Sequence, residues 1–448
     1  MNKNLNLSEG KVFNVLLKFT FPILISQILQ VTYGTVDLLI VGQYAGVGDV
    51  SGVTIGSQIM QAITSFCTGI SMGTTILLGR YIGAKKEDKT TATVGVSIAL
   101  FAVLTAVITS VLLLGNGFIA QTMNTPAESF AQTKSYLFVC GMGAVFIVFY
   151  NLIGSIFRGI GDSNTPLIAV LIACIVNIIL DLVLVGIFEM GATGAAIATV
   201  MAQGISVAIS FWLIKKKTLP FTLTWKAVGF DKEYVIKILQ LGTPIALQGV
   251  LVSVSFLAIT SIVNGFGVAS SAALGIVEKI TGIIMLIPIS FMQSLAAFTA
   301  QNYGAGKLYR AKKGLKYGMS LSLMFGVVMS YLAIFHGSIF TRLFTSDIEI
   351  TGYALLYMKA YAIDVVLVAI LFSMTGYFNG YGKTNFVMIQ AVTGAFCIRI
   401  PLAYMLSNLA NTSLFIIGLA TPSATVIQII ACFIYYRHLV KHPVVVNI

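Results

Sequence analysis

Twelve apolar runs, each long enough to cross a bilayer, follow one another along this chain with short polar breaks between them. They occupy roughly 14–41, 52–79, 91–114, 132–157, 165–188, 192–214, 234–264, 268–298, 314–336, 352–378, 386–407 and 412–436. Such runs must be helices. Inside a membrane every backbone N–H and C=O needs a partner from its own segment, and the runs are too long and too uniformly apolar to be barrel strands. Only 9% of the residues are charged and the mean hydropathy is +0.95, against about 25% charged in a soluble domain. A soluble fold and a disordered chain are both excluded. The expected fold is an all-α membrane protein with twelve transmembrane helices. No secretory signal is seen: the first ten residues are polar and no cleavage site follows the first apolar run.

The net charge of +12 is a topology signal. Of the 27 basic residues, 22 fall on one side of the predicted spans: in the loops around 80–89, 158, 215–237, 307–316 and 383, and at the two ends of the chain. Lys134, Arg342 and Lys359 fall on the other side, and Lys279 and Arg399 lie inside helices. The positive-inside rule places the rich side and both termini in the cytoplasm, as expected of a multi-pass protein of the plasma membrane, or of the inner membrane in a Gram-negative cell. No basic stripe with interleaved aromatics is present, so no nucleic-acid partner is expected. The five cysteines lie in apolar runs without metal-ligand spacing, and the three histidines sit at ends or in the tail.

The chain repeats itself. GRYIGAKK (79–86) is echoed by AQNYGAGK (300–307), and FRGIGDSN (157–164) by FNGYGKTN (378–385), both at an offset of 221 residues. Pro22 is echoed by Pro244. Two motifs at one offset define two halves of six helices each, with parallel topology. The expected domains are a six-helix bundle over 1–214, a cytoplasmic loop over 215–233 and a second bundle over 234–448. Repeats of this kind mark secondary transporters. No GxxxxGK[ST] nucleotide motif accompanies them, and no nucleophile with base or His-rich metal set suggests an enzyme.

Six ionisable residues lie within the predicted helices: Asp37, Asp181, Glu278, Lys279, Asp364 and Arg399. Each costs about 2.5–3.5 kcal/mol at a helix centre, so they are paired or used. Counting depth at about 1.5 Å per residue puts Asp37, Asp181, Tyr136 and Thr199 at one level of the first bundle. Asn177 is one turn from Asp181, and Gln30 is two turns from Asp37 with Tyr33 between them. Two neighbouring carboxyls in low dielectric cannot both ionise, so one can take up a proton. The oxygens of Asp37, Asn177, Asp181 and Thr199 could equally hold Na⁺. The alternative is a structural network of hydrogen bonds between helices. In the second bundle, Asp364 and Arg399 either form an ion pair or serve coupling together with Glu278. Asp37 and Asp181 map in the repeat to Ile259 and about Leu402, so the acidic layer is not a symmetric requirement of the fold.

With these residues in view, the chain resembles the multidrug and toxic compound extrusion (MATE) transporters of prokaryotic type. The marks are Phe21-Pro22, VDLLIVGQYAG, GRYIGAKK, FRGIGDSNTP, VNIILDLVLVGI and GATGAAIAT, in the family's order. The resemblance covers nearly all of 10–440. It implies two six-helix bundles forming a V-shaped central cleft, and export of lipophilic, often cationic drugs in exchange for H⁺ or Na⁺, with no resident cofactor. By similarity the coupling residues fall on Asp37, Tyr136, Asn177, Asp181 and Thr199. The substrate-facing residues fall on Gln30 and Asn151, and Tyr33 is counted with them. Gly154 stands where some relatives carry a second Asn. Asp364 resembles an acidic position that other members use for cations. Pro22 is expected to act as a hinge in the first helix. The working unit is expected to be a monomer whose partners are drug molecules and the bilayer. A flippase for lipid-linked precursors, which shares the architecture, is the alternative; it would place basic residues where this chain has mainly acids.

Overall fold

The computed structural model describes residues 6–217, 219–222 and 227–442. Lys3 and Lys226, and parts of the 215–233 loop, fall outside them. Among the described residues the regular structure is entirely helical. The helices are α1 (Val12–Tyr44), α2 (Val47–Gly83), α3 (Glu87–Thr122), α4 (Phe130–Met142), α5 (Ala144–Gly159), α6 (Asn164–Asp181) and α7 (Gly191–Lys215). The chain continues with α8 (Lys232–Asn264), α9 (Val268–Ile284), α10 (Leu286–Gly304), α11 (Leu308–Phe335), α12 (Gly337–Thr341) and α13 (Ile348–Gly380). It closes with α14 (Thr384–Thr393), α15 (Ile400–Ser407), α16 (Leu414–Gly418) and α17 (Ala420–Lys441). Among the described residues eleven spans are long and apolar enough to cross a membrane, and α4 with α5 makes a twelfth when the pair, bent by 57°, is taken as one span.

Several runs read as single helices are interrupted. The fourth breaks between α4 and α5 at Gly143, where a side chain would collide with Val200 of α7. The eighth breaks at Met285, just before Pro288. Two widen into π-helix, at Leu182–Ile187 and Gly394–Arg399. A π-turn inserts a residue and re-aims the side chains that follow, and such turns gather at functional sites.

The repeat motifs turn out to be helix stops. After α2, α5, α10 and α13 the chain closes with the same paired bonds. Lys86 N donates to Tyr81 O and Lys85 N to Ile82 O; Asp162 N donates to Phe157 O and Gly161 N to Arg158 O. Lys307 N donates to Asn302 O and Gly306 N to Tyr303 O; Lys383 N donates to Phe378 O and Gly382 N to Asn379 O. This is the Schellman arrangement, which needs a left-handed residue just past the helix. Gly161, Gly306 and Gly382 take φ of 84°, 70° and 70°. Lys85, the repeat partner of Gly306, takes φ 55° without being a glycine.

By packing, the chain falls into two units. Unit 1 contains Phe21–Ala246; unit 2 contains Leu7–Thr20 and the chain from Leu247 on. These units differ from the bundles at 1–214 and 234–448 read from the repeat: α1 begins in unit 2 and continues in unit 1, and α8 begins in unit 1 and continues in unit 2. Both changes fall within a turn of the echoed Pro22 and Pro244. Inside unit 2 the segment before α1 is held by its backbone. Asn302 Nδ2 and Arg310 Nε donate to Leu7 O at 3.1 and 3.2 Å, and Lys307 Nζ donates to Ser8 O at 2.9 Å. Inside unit 1 the first part of α8 lies close on α2. Gly73 faces Ile238 and Gly242, Gly242 faces Ile70, and Gly69 faces Ala246, with no room for a Cβ at any of the three. Small residues are what bring membrane helices this close.

Candidate functional site

In unit 1, α1 carries Gln30, Tyr33 and Asp37 at spacings of three and four, which share a face. On α6, Asn177 and Asp181 stand one turn apart, and the π-turn begins immediately after Asp181. Asp37 is 5% exposed, Asn177 1% and Asp181 0%. The two carboxyls lie within hydrogen-bonding reach of each other. No other group donates to them: Asp37 Oδ1, both oxygens of Asp181 and both amide atoms of Asn177 are buried without a partner. Two adjoining carboxyls out of water cannot both keep their charge, and a buried polar atom without a partner costs about 1–3 kcal/mol. A proton shared by the carboxyls, or a small hard cation among these oxygens, relieves both costs.

The flanking residues are placed unequally. Tyr136 on α4 is buried with its hydroxyl in electrostatic range of both carboxyls, its ring pressed on Gly56. Tyr33 lies within reach of Gln203 on α7 and close to Tyr150 and Asp37. Gln30 Nε2 donates to Tyr150 Oη. Asn151 is already engaged: its Nδ2 donates to Ile147 O at 2.8 Å, and its Oδ1 accepts from Thr68 Oγ1 at 3.0 Å. It ties α5 to α2. Thr199 is half-buried on α7 and gives no hydrogen bond to Asp181 or to Asp37 Oδ1. Tyr150 and Gln203 were not singled out from the sequence. Their signal was there, a polar tip inside an apolar run, but their partners lie on other helices.

The second set of charges is in unit 2, and the Asp364–Arg399 ion pair, one of the two readings left open by the sequence, is not formed. Among the described residues the ion pairs are Lys217–Asp162 and Lys237–Glu233. Asp364 accepts from Thr425 Oγ1 at 2.6 Å, while Arg399 Nη1 donates to Ser255 Oγ at 3.0 Å and the guanidinium stacks on Phe256 at 4.4 Å. Each charge meets a neutral partner on a different helix instead. Glu278 accepts from Thr260 Oγ1 at 3.2 Å. Glu278 and Lys279 are exposed. Tyr357 and Tyr361 are buried in range of Glu278, Asp364 and Arg399.

A third polar centre, in the turn between α5 and α6 of unit 1, was not expected. Asp162 Oδ1 accepts from the backbone N–H of Asn164 and Thr165 at the start of α6, and its Oδ2 pairs with Lys217 Nζ at 2.6 Å, just past α7. It caps one helix and ties it to the end of another.

Similarity to known proteins agrees with this architecture. The chain is 26% identical over 446 residues to the probable multidrug resistance protein YoeA of Bacillus subtilis, covering 97% of this chain and 95% of that protein. It is 24% identical to the multidrug export protein MepA of Staphylococcus saprophyticus, covering 90% and 88%. In fold it matches a MOP superfamily transporter from Pyrococcus furiosus, with a TM-score of 0.91 at 20% identity over 98% of each chain. An outward-facing multidrug resistance MATE family transporter matches with the same score, identity and coverage. The MatE family profile fits twice, over 22–183 and 244–405, so its two copies are the two halves of the internal repeat. The chain belongs to the MatE family.

Proposed function

We propose that this protein is a secondary active antiporter that exports lipophilic, often cationic compounds in exchange for H⁺ or Na⁺. The observation that carries the reading is the buried contact of Asp37 with Asp181, whose oxygens have no protein donor. A cation held there lowers the negative charge of the centre by one unit. When the cation leaves, negative charge returns to a region of low dielectric and attracts a cationic drug. Competition between drug and cation for one charge is a sufficient coupling device, because a ligand shifts an equilibrium only by its differential affinity. Asn177 adds an amide oxygen suited to Na⁺, and Tyr136 and Thr199 offer hydroxyls. Gln30 and Tyr33 line the same face of α1 and would meet the drug.

Pro22 supports a moving part. It cannot donate the helical bond to Lys18, and it sits where α1 changes from unit 2 to unit 1. A bend there would shift the Asp37 end of α1 against α6. The multidrug names of the relatives from Bacillus subtilis and Staphylococcus saprophyticus support the substrate class. On this reading the protein acts as a monomer in the plasma membrane with both termini inside, and an ion gradient supplies the energy.

The test is transport of a cationic dye by purified protein in proteoliposomes, with proton and sodium gradients imposed separately. One gradient, or both, should drive dye movement that Asp37→Asn abolishes. Dye movement indifferent to both gradients overturns the antiport reading. Movement of a lipid-linked precursor without dye transport would favour a flippase.

A further inference from the structure

Arg399 is a buried charge that has few partners. It is 6% exposed, and its Nε is buried without a partner. A guanidinium has five N–H donors, and here one hydrogen bond, to Ser255, and one ring face, that of Phe256, are its contacts. The acid that could neutralise it is close by, yet Thr425 holds that carboxylate. The backbone is specialised at this point too: the π-turn Gly394–Arg399 ends on Arg399 itself. Gly394, which opens the turn, leaves space that Gln428 of α17 fills. Ser255 and Phe256 of α8 touch the guanidinium, and Tyr357, Tyr361 and Asp364 of α13 lie in electrostatic range of it. Thr425 of α17 holds Asp364, and Glu278 of α9 is in range of the two tyrosines.

A bare guanidinium within a membrane protein is costly unless something of opposite charge meets it, and its planar fork matches an oxyanion through two parallel bonds. The surrounding charge narrows the class. Asp364 and Glu278 would repel a ligand that was only negative, and they would welcome an ammonium on the same molecule. Phe256, Tyr357 and Tyr361 supply aromatic surface.

We propose that unit 2 holds a subsite for amphoteric substrates, in which Arg399 takes the carboxylate, sulfonate or phosphate of a molecule that also bears positive charge. The proposal rests on the export reading for its biological sense, but not for its test. The subsite would widen the substrate range from plain cations, served by the acids of unit 1, to zwitterions.

The experiment compares two dyes that differ only at the anionic group: rhodamine B, a zwitterion with a free carboxylate, and its ethyl ester, a cation. Binding is read by fluorescence anisotropy on the full-length protein in phosphatidylglycerol nanodiscs. Arg399→Gln should weaken the acid dye by about tenfold or more and the ester by less than about twofold, the loss expected for a hydrogen bond between charged groups. Arg399→Lys keeps the charge without the fork and should fall between them, and it serves as the second variant if Arg399→Gln does not fold. A zwitterionic lipid headgroup presents the same chemistry. Loss of the acid dye's advantage in phosphatidylethanolamine nanodiscs, in wild type but not in Arg399→Gln, would assign the subsite to lipid. An acid-to-ester ratio unchanged by both variants in both lipids overturns the proposal. Dye transport under an ion gradient is measured in parallel: its absence in wild type, with the binding ratio still altered by Arg399→Gln, would sink the export reading and leave the subsite standing.

Discussion

Tyr136 and Tyr357 stand 221 residues apart, at equivalent positions of the repeat, and each is buried beside the charged centre of its own unit. Each ring also packs against a glycine, Gly56 in unit 1 and Gly418 in unit 2. The acids around them are not equivalent. Asp37 and Asp181 have no acidic counterparts in the second half, and Asp364 has none in the first. The repeat therefore builds two similar aromatic platforms, and each unit carries a different arrangement of charge on its platform.

The Gly56–Tyr136 contact makes the first prediction. A Cβ at position 56 would overlap the Tyr136 ring, which is fully packed. Gly56→Ala should destabilise by about 1–3 kcal/mol, the usual cost of overpacking. Removing the ring makes room, so Gly56→Ala in a Tyr136→Ala background should cost much less. Thermal unfolding in detergent of the four proteins measures this. Equal costs in both backgrounds would mean that the strain lies elsewhere.

Asp37→Asn and Asp181→Asn should each reduce drug export by more than about tenfold without loss of stability. A neutral amide is cheaper to bury than a carboxylate, and neither acid receives a donor from the protein that the change would strand. Export by proteoliposomes and the melting temperature are read together. A variant that exports at the wild-type rate removes that residue from the coupling centre, whereas a sharp fall in melting temperature would show that the pair is structural.

Much of this fold was legible in the sequence, and the reason is physical. Hydropathy reports depth in a bilayer directly, so the spans could be read. The repeat motifs could be read because helix stops of one type need the same residues: Gly161, Gly306 and Gly382 all take the left-handed region. What hydropathy does not report is which way a helix faces. In a membrane the lipid-facing side is as apolar as the packed side, so periodicity loses its meaning. Partners were therefore missed. Thr425 is 61 residues from Asp364, and Ser255 is 144 from Arg399. An ion pair between the two charges was one of two readings open from shared depth, and neighbouring hydroxyls take its place. The break at Gly143 and the two π-turns left no mark on hydropathy at all.

Lys85 is the exception among the four helix stops, and it predicts a gain. A side chain in the left-handed region costs roughly 1 kcal/mol, and Gly306 occupies the equivalent place without that cost. Lys85→Gly should stabilise the protein by up to about 1 kcal/mol, less whatever the freer unfolded chain takes back. A small rise in melting temperature is the expected result. A clear fall would show that the Lys85 ammonium matters more than its backbone.

Asp162 should prove a structural rather than a transport residue. Its carboxylate caps α6 and pairs with Lys217. Losing a cap costs about 1 kcal/mol, and losing a charged hydrogen bond about 1.5–3 kcal/mol when buried. Lys217 is partly exposed, at 28%, so its share is discounted towards the roughly 1 kcal/mol of a surface pair. Asp162→Ala should therefore destabilise by about 2 kcal/mol and Lys217→Met by less. The dye affinity of the folded fraction should be unchanged in both. A changed affinity would place the Asp162 latch in the substrate path.

The charges of unit 2 offer the sharpest test of how they are paired. Thr425 serves Asp364 and Ser255 serves Arg399, and no ion pair joins the two acceptor–donor sets. Thr425→Val should leave a buried carboxylate without its donor and cost about 1–3 kcal/mol. Ser255→Ala removes one of the guanidinium's two contacts and should cost less, since the Phe256 face remains. If the two sets are independent, the double variant should show the sum of the single effects within about 0.5 kcal/mol. If instead the freed Asp364 and Arg399 swing together, the double variant will be more stable than the sum, because each loss creates the partner for the other. Unfolding of the four proteins under one set of conditions decides between them. A deviation beyond about 1 kcal/mol would mean that the ion pair is held off only by the two hydroxyls.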